Sequence, residues 1–224
     1  MIDFQPVKLD DKLWVRDLML RSGFRGDEYC FGNLYLWKDV YGCKIARMND
    51  YFLAKMGHTH PSYIFPAGSG DIYPVLDALW EDSRACGHPF RMHGLSPEAA
   101  QLVEAWKPGA LVFEDNRDYY DYIYTAEKLR DLAGKKLHGK RNHIARFIDN
   151  NNWRYERITE QNIEDCVRMS RDWSHKNGVI DDIDKQNEYY AVSIALENFF
   201  ALDFFGGILR VDDKVVAYTV GERL

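Results

Sequence analysis

Two turn dipeptides, one in each half of the chain, restrict what it can become. Asn49-Asp50 lies between the runs 43–48 and 51–56, and Asp212-Asp213 lies between 206–210 and 214–221. The flanking runs carry mostly apolar and β-type residues, while Asn and Asp tolerate the positive φ that a tight turn needs. Each half therefore holds one antiparallel hairpin, which excludes an all-helical bundle. Helical patterns fill much of the rest. Residues 10–20 place apolar side chains at 13, 14, 18 and 20, with Asp10 as N-cap and Gly23 as a stop. Residues 71–86 are amphipathic and end at Gly87. Ser96-Pro97-Glu98 opens a helix through Trp106, with a capping hydroxyl, a proline in the first turn and an early acid. Residues 159–176, under a Thr159 cap, and 186–201 are the helices of the second half. Short strands are predicted at 89–93, 111–113, 119–124 and 153–158. Residues 31–41 are aromatic-rich, and their pattern leaves the element type open.

The fold class predicted is α/β, an α+β mixed sheet in two lobes. The boundaries are 1–125 for the first lobe, 126–150 for a basic connecting helix and 151–224 for the second lobe. A chain of 224 residues that is 46% hydrophobic and 14% aromatic has ample core material for this. The second half reads strand, helix, helix, hairpin, the opening order of the acetyltransferase-like (GNAT) fold.

Charge is distributed unevenly. The net value is −6, so the whole chain is no generic polyanion binder. Between Lys128 and Arg146, however, seven Lys or Arg face a single acid, Asp131, a local balance of +6 that leaves −12 for the remainder. Within that segment Gly134, Gly139 and Lys140 match G-x-x-x-x-G-K, the start of a phosphate-binding loop. The match fails chemically. Arg141 stands where a Ser or Thr must ligate magnesium, and Lys135, Lys136, Leu137 and His138 do not demand a loop. A helix fits better, with Leu137, Ile144 and Ile148 as a buried stripe and Lys136, Lys140 and His143 as a second, polar stripe. Lys135, Asn142 and Arg146 widen the polar face. Repeated like charges at helical spacing cost a few tenths of a kcal/mol each. The residues alone leave open whether an anion offsets this, acids elsewhere pair with it, or water solvates it.

Other positions carry weaker signals. His58 and His60, and His88 and His93, lack partners that would complete a ligand set, so no metal is expected. Cys30, Cys43, Cys86 and Cys166 form no close pair, which fits a reducing compartment. No nucleophile elbow occurs, and no catalytic side chain is assigned. Tyr120, Tyr122 and Tyr124 alternate as in a strand face. Trp173, Phe199, Phe200, Phe204 and Phe205 are expected in the core, and Glu188 is read as a dipole-matching acid near a helix start. There is no candidate membrane span.

The run containing Tyr122, Tyr124, Leu129, Leu132, Gly134, Lys135, Lys136, His138, Lys140, Arg141, Asn142 and His143 resembles a family signature. The pattern, Y-x-Y then L-x-x-L-x-G-K-K-x-H-x-K-R-N-H, is that of the C-terminal domain family of phosphatidylglycerol lysyltransferases. FGNLYLW at 31–37 and the run 195–224 also resemble that family. The resemblance implies two tandem GNAT-like lobes, similar to the FemABX aminoacyltransferases, and transfer of an aminoacyl group from charged tRNA to a lipid or other small acceptor. It makes Lys135, Lys136, His138, Lys140, Arg141, Asn142, His143 and Arg146 candidates for holding a tRNA acceptor end or a lipid headgroup. No resident cofactor is expected; aminoacyl-tRNA would be the donor substrate, ahead of acyl-CoA. The chain reaches Leu224 just after the second hairpin, so the second lobe is expected to be incomplete, with 215–221 as a bare edge through which two copies could pair. Two other functions stay open, a non-catalytic module that binds RNA or phospholipid headgroups and an acetyl-CoA-dependent N-acetyltransferase. The expected location is the cytoplasm, or its boundary with the inner membrane where the acceptor is a lipid.

Overall fold

The computed structural model describes residues 1–223 and shows a mixed α/β chain with two compact units. The first unit is Met1–Asn116 with two returns from far along the chain, Phe200–Asp203 and the segment that begins at Glu222. The second unit is Arg117–Phe199 with Phe204–Gly221.

The sheet of the first unit runs β1 (Gln5–Pro6), β2 (Lys44–Met48), β3 (Tyr51–Met56), β4 (Ser62–Ile64) and β6 (Met92–His93), with β5 (Ala67–Gly68) on another stretch of β3. The β4–β6 pair is parallel and the others are antiparallel, so the sheet is mixed. The predicted hairpin forms between β2 and β3, with Asn49 at φ 52°. Four helices accompany it: α1 (Lys12–Ser22), α2 (Phe31–Trp37), α3 (Tyr73–Ala85) and α4 (Pro97–Trp106). The Ser96 hydroxyl caps α4 by accepting from Ala99 N (3.2 Å). Residues 51–54 of β3 are all buried. Alternation sends Tyr51 and Leu53 toward Val75, Leu76 and Leu79 of α3 and Val103 of α4, and Phe52 toward Trp14 of α1, ring centroids 6.1 Å apart. The strand is therefore covered on both faces, which explains its unbroken apolar run.

One acid sits on the apolar face of α3. Asp82 is 1% exposed and accepts from Lys55 Nζ (3.0 Å), Tyr63 OH (2.7 Å) and the Ile2 amide (3.1 Å). Burial pushes its carboxyl up, but these hydrogen bonds and the Lys55 charge outweigh that and hold it below the ordinary range. The distant returns are also bonded in. Lys12 Nζ donates to Ala201 O (2.6 Å) and pairs with Asp203 (2.9 Å), which Arg16 also reaches (3.3 Å). Glu222 accepts the Gly32 amide (2.8 Å) in the first turn of α2, satisfying one of its orphan donors.

The second unit holds an antiparallel sheet in the order β7 (Trp153–Arg157), β8 (Phe205–Val211), β9 (Lys214–Gly221). The second predicted hairpin closes on Asp212 (φ 47°) and Asp213 (φ 67°), both in the left-handed region as a primed turn requires. Its helices are α5 (Ala126–Asp131), α6 (His138–Asn150), α7 (Ile163–Lys176) and α8 (Ile183–Glu197). α7 packs on α8 and β9, and the Ser170 and Tyr218 hydroxyls bond across that contact. Arg210 of β8 is buried. Its Nε donates to Glu156 of β7 (2.5 Å), its Nη1 to Asp213 O (3.1 Å) and its Nη2 to Asp165 of α7.

Several expectations need correction. Residues 111–113 and 119–124 are not strands: 117–119 make a single 3₁₀ turn, and the rest is irregular. Tyr122 is 89% exposed. Aromatic and β-branched residues favour a strand only where a neighbour supplies the ladder and a face to pack on, and none does here. α1 starts at Lys12, because a 3₁₀ turn at Leu9–Asp11 precedes it and the Asp11 carboxylate accepts from Lys8 N (2.8 Å). α7 starts at Ile163 with Asn162 as N-cap; Thr159 instead donates its amide to Asn162 Oδ1 (2.7 Å). α8 starts at Ile183 because the Asp182 carboxylate accepts from Asp184 N (3.1 Å) and Lys185 N (3.3 Å). Glu188 therefore lies past the first turn, where the dipole reading fails. Phe199 and Phe204 are buried as expected, but Trp173, Phe200 and Phe205 are exposed.

Candidate anion-binding site

The basic segment is not one helix. Thr125 Oγ1 accepts from Lys128 N (3.2 Å) and starts α5, which ends where Leu132 turns left-handed at φ 45°. Gly134 follows at φ 97°, a conformation that a residue with a Cβ rarely adopts. A 3₁₀ turn at Lys135–Leu137 then leads into α6. Gly139 lies inside α6, so the near-match to a phosphate loop has no loop geometry.

The break explains Arg141. Its guanidinium donates to Leu132 O, the carbonyl of the residue that ends α5, and to Gly134 O (3.0 Å) at the start of the 3₁₀ turn. Arg141 is thus a clip between two helices. The other seven predicted site residues are exposed: Lys135 and Lys136 on the 3₁₀ turn, and His138, Lys140, Asn142, His143 and Arg146 on α6. The Asn142 amide donates to His138 Nε2 (3.2 Å). Among the described residues, Lys135, Lys136, Lys140 and Arg146 make no ion pair, and the pair in this segment joins Arg130 to Asp131 (2.8 Å). The acids that make the remainder of the chain −12 do not neutralise this face.

The apolar stripe is corrected too. Ile144 and Ile148 are 48% and 46% exposed, and α6 buries no residue. Phe147 is half-buried, with its ring 6.4 Å from that of Trp153.

The remaining candidates are histidines of the first unit, and among the described residues His88 Nε2 is buried without a hydrogen-bond partner. His58 and His60 lie in the loop after β3, with His58 Nε2 3.2 Å from Val40 O. His93 is half-buried, and this desolvation pushes its pKa down; its Nδ1 meets Ser62 Oγ (2.8 Å). His88 Nδ1 lies 3.1 Å from Pro89 O. A concavity in the first unit is lined by Arg16, Phe24, Arg25, Tyr29, Phe31 and Glu222, and of these Arg16, Tyr29 and Glu222 are engaged elsewhere. The Tyr29 hydroxyl bonds Phe65 O (3.0 Å) and Gly94 O (3.1 Å), and Glu222 holds the Gly32 amide. The buried clusters around Asp82 and Arg210 were not read from the sequence as sites, although each residue falls on the apolar face of its element.

Among the described residues no helix is long and apolar enough to cross a membrane. Residues 21–224 match the family described as "Phosphatidylglycerol lysyltransferase, C-terminal". No curated protein matches the chain. A solved structure titled "Crystal Structure of Conserved Protein of Unknown Function from Bacteroides thetaiotaomicron VPI-5482" is similar at 34% sequence identity and a TM-score of 0.92, over 99% of this chain and 75% of that one.

Proposed function

Because the chain belongs to the phosphatidylglycerol lysyltransferase C-terminal family, we propose that it is an acyltransferase domain that moves an aminoacyl group from charged tRNA to a lipid or other small acceptor. The observation that carries this reading is the unpaired cationic face of Lys135, Lys136, Lys140 and Arg146 in an otherwise acidic chain. A phosphate-bearing partner supplies the charge that the protein itself withholds. The order strand, helix, helix, hairpin in the second unit supports an acetyltransferase-like lobe there, and the first unit would be its tandem partner.

The chemistry asks little of the protein. An aminoacyl ester is already activated. The acceptor oxygen or nitrogen attacks the ester carbonyl carbon, the bond to the tRNA ribose oxygen breaks, and the acceptor proton ends on that oxygen. Catalysis then rests on positioning and on stabilising the tetrahedral oxyanion. In this proposal Lys136 and Lys140 hold phosphate, and Arg141 positions the turn and the helix that carry them.

The test is transfer of a labelled amino acid from charged tRNA to phosphatidylglycerol. Label in the organic phase is the expected result. Tight tRNA or lipid binding without turnover would favour a non-catalytic module on the same fold, and thiol release from acetyl-CoA would favour an N-acetyltransferase. A second prediction concerns the face itself. Lys136→Glu with Lys140→Glu should weaken tRNA binding by about tenfold or more at low salt and flatten the slope of log K against log salt by roughly 1.5. An unchanged slope measured by filter binding would remove tRNA as the ligand of this face.

A further inference from the structure

α6 has the make-up of a helix that lies on a lipid surface. It has 13 residues and a length of roughly 20 Å; Arg141 and Phe147 are its half-buried residues, and the other eleven, Ile144 and Ile148 among them, are exposed. At about 100° per residue, Lys140, Ile144 and Ile148 form one row, with His143 and Phe147 in the row beside it. The only acid of the helix, Asp149, lies about 180° from Lys140. The row is therefore apolar, cationic at its N-terminal end and free of negative charge.

We propose that this row docks on an anionic phospholipid bilayer, with Ile144 and Ile148 entering the boundary between headgroups and acyl chains and Lys140 and Lys136 against the lipid phosphates. The proposal rests on the reading of the cationic face as an anion site, and names its partner. Charge complementarity selects a negative surface, and the aliphatic side chains select a bilayer over RNA. Bases stack on flat rings, which isoleucine lacks, whereas branched aliphatic side chains beside lysine are what an interfacial helix inserts. The geometry also suits a lipid acceptor, because it would hold the cationic face at the depth of the headgroups.

Flotation with vesicles tests this. Vesicles of phosphatidylcholine containing about one-third phosphatidylglycerol should bind the chain at least tenfold more tightly than phosphatidylcholine alone. Ile144→Glu with Ile148→Glu should cut that binding by tenfold or more; both side chains are half-exposed, and circular dichroism verifies that the variant folds. Lys136→Glu with Lys140→Glu should cut it similarly, and added salt should weaken the wild type. Equal binding to neutral vesicles, or full binding by the isoleucine variant, overturns the proposal. So does a dimer in sedimentation that the isoleucine variant dissolves, because a second copy would then cover the row. Loss of tRNA binding by the isoleucine variant with vesicle binding intact assigns the row to RNA instead. If vesicle binding fails while wild-type protein aminoacylates detergent-dispersed phosphatidylglycerol, docking is wrong and the proposed function stands. Docking without transfer supports the membrane-facing row and removes the transfer reaction.

Discussion

Asp82→Ala should lower the stability of the first unit by about 3–5 kcal/mol, the cost of removing one partner from a buried pair. Three donors lose their acceptor together: Lys55 Nζ, Tyr63 OH and the Ile2 amide. Lys55 is the costliest of these, because its side chain is largely buried with its ammonium 4.5 Å from the Phe4 ring centroid. Asp82→Asn should cost less, since an amide oxygen still accepts, but it leaves the lysine charge uncompensated. Native-state hydrogen exchange at β3 and α3 amides reads the change locally, without assuming that the whole chain unfolds as one. The same carboxylate predicts a pH dependence. Its folded pKa is depressed, so between that value and an unfolded pKa of about 3.9 the unfolded state binds more protons. The stabilisation is complete above the unfolded value and disappears as pH falls through the folded one. Wild type should therefore lose stability more steeply below about pH 4 than Asp82→Ala does. Parallel acid titrations of the two proteins would sink the assignment.

The second large effect is expected at Arg210. Its guanidinium bonds Glu156 on the neighbouring strand, Asp165 on α7 and the Asp213 carbonyl in the turn. Arg210→Ala should destabilise the second unit by about 2–3 kcal/mol, less than the roughly 3–5 kcal/mol of a fully buried pair, because Glu156 and Asp165 keep partial contact with water. Arg210→Lys should recover less than half of that. A single ammonium cannot serve three acceptors in different directions, whereas the planar fork can. Urea unfolding followed by exchange at β8 amides tests both. Full rescue by lysine would mean that charge alone, and not the geometry of the fork, holds β7, β8 and α7 together.

Local signals were legible in the sequence, and those that depend on distant partners were not. Asn49, Asp212 and Asp213 announced their hairpins because the turn conformation is decided within four residues. Ser96 and Pro97 announced α4 for the same reason. The strands expected at 111–113 and 119–124 failed because a strand is decided by its neighbour. The basic segment was half-read. The exposure of its cationic side chains and its helical end at Asn150 follow from composition and periodicity, but the buried stripe expected at Ile144 and Ile148 does not form, and the left-handed Leu132 and the Arg141 clip depend on a side chain folding back nine residues. Asp82 and Arg210 could have been noticed. Asp82 follows Val75 and Leu79 on one helical face, and Arg210 shares a strand face with buried Ile208, so each placed a charge where only a pair could keep it. The sequence does not contain the name of the partner in either case.

The late returns to the first unit bear on how this chain is made. Gly32 waits for Glu222 and Lys12 for Asp203, contacts that span 190 and 191 positions. A ribosome adding about 5–20 residues per second leaves the first unit without these contacts for on the order of ten seconds after its own strands emerge. During that interval α2 has an uncapped amide, and Lys12 and Arg16 lack their carboxylate. Nascent chains arrested near residue 199 should therefore hold the first unit in a looser, more protease-sensitive form than chains carried past residue 222.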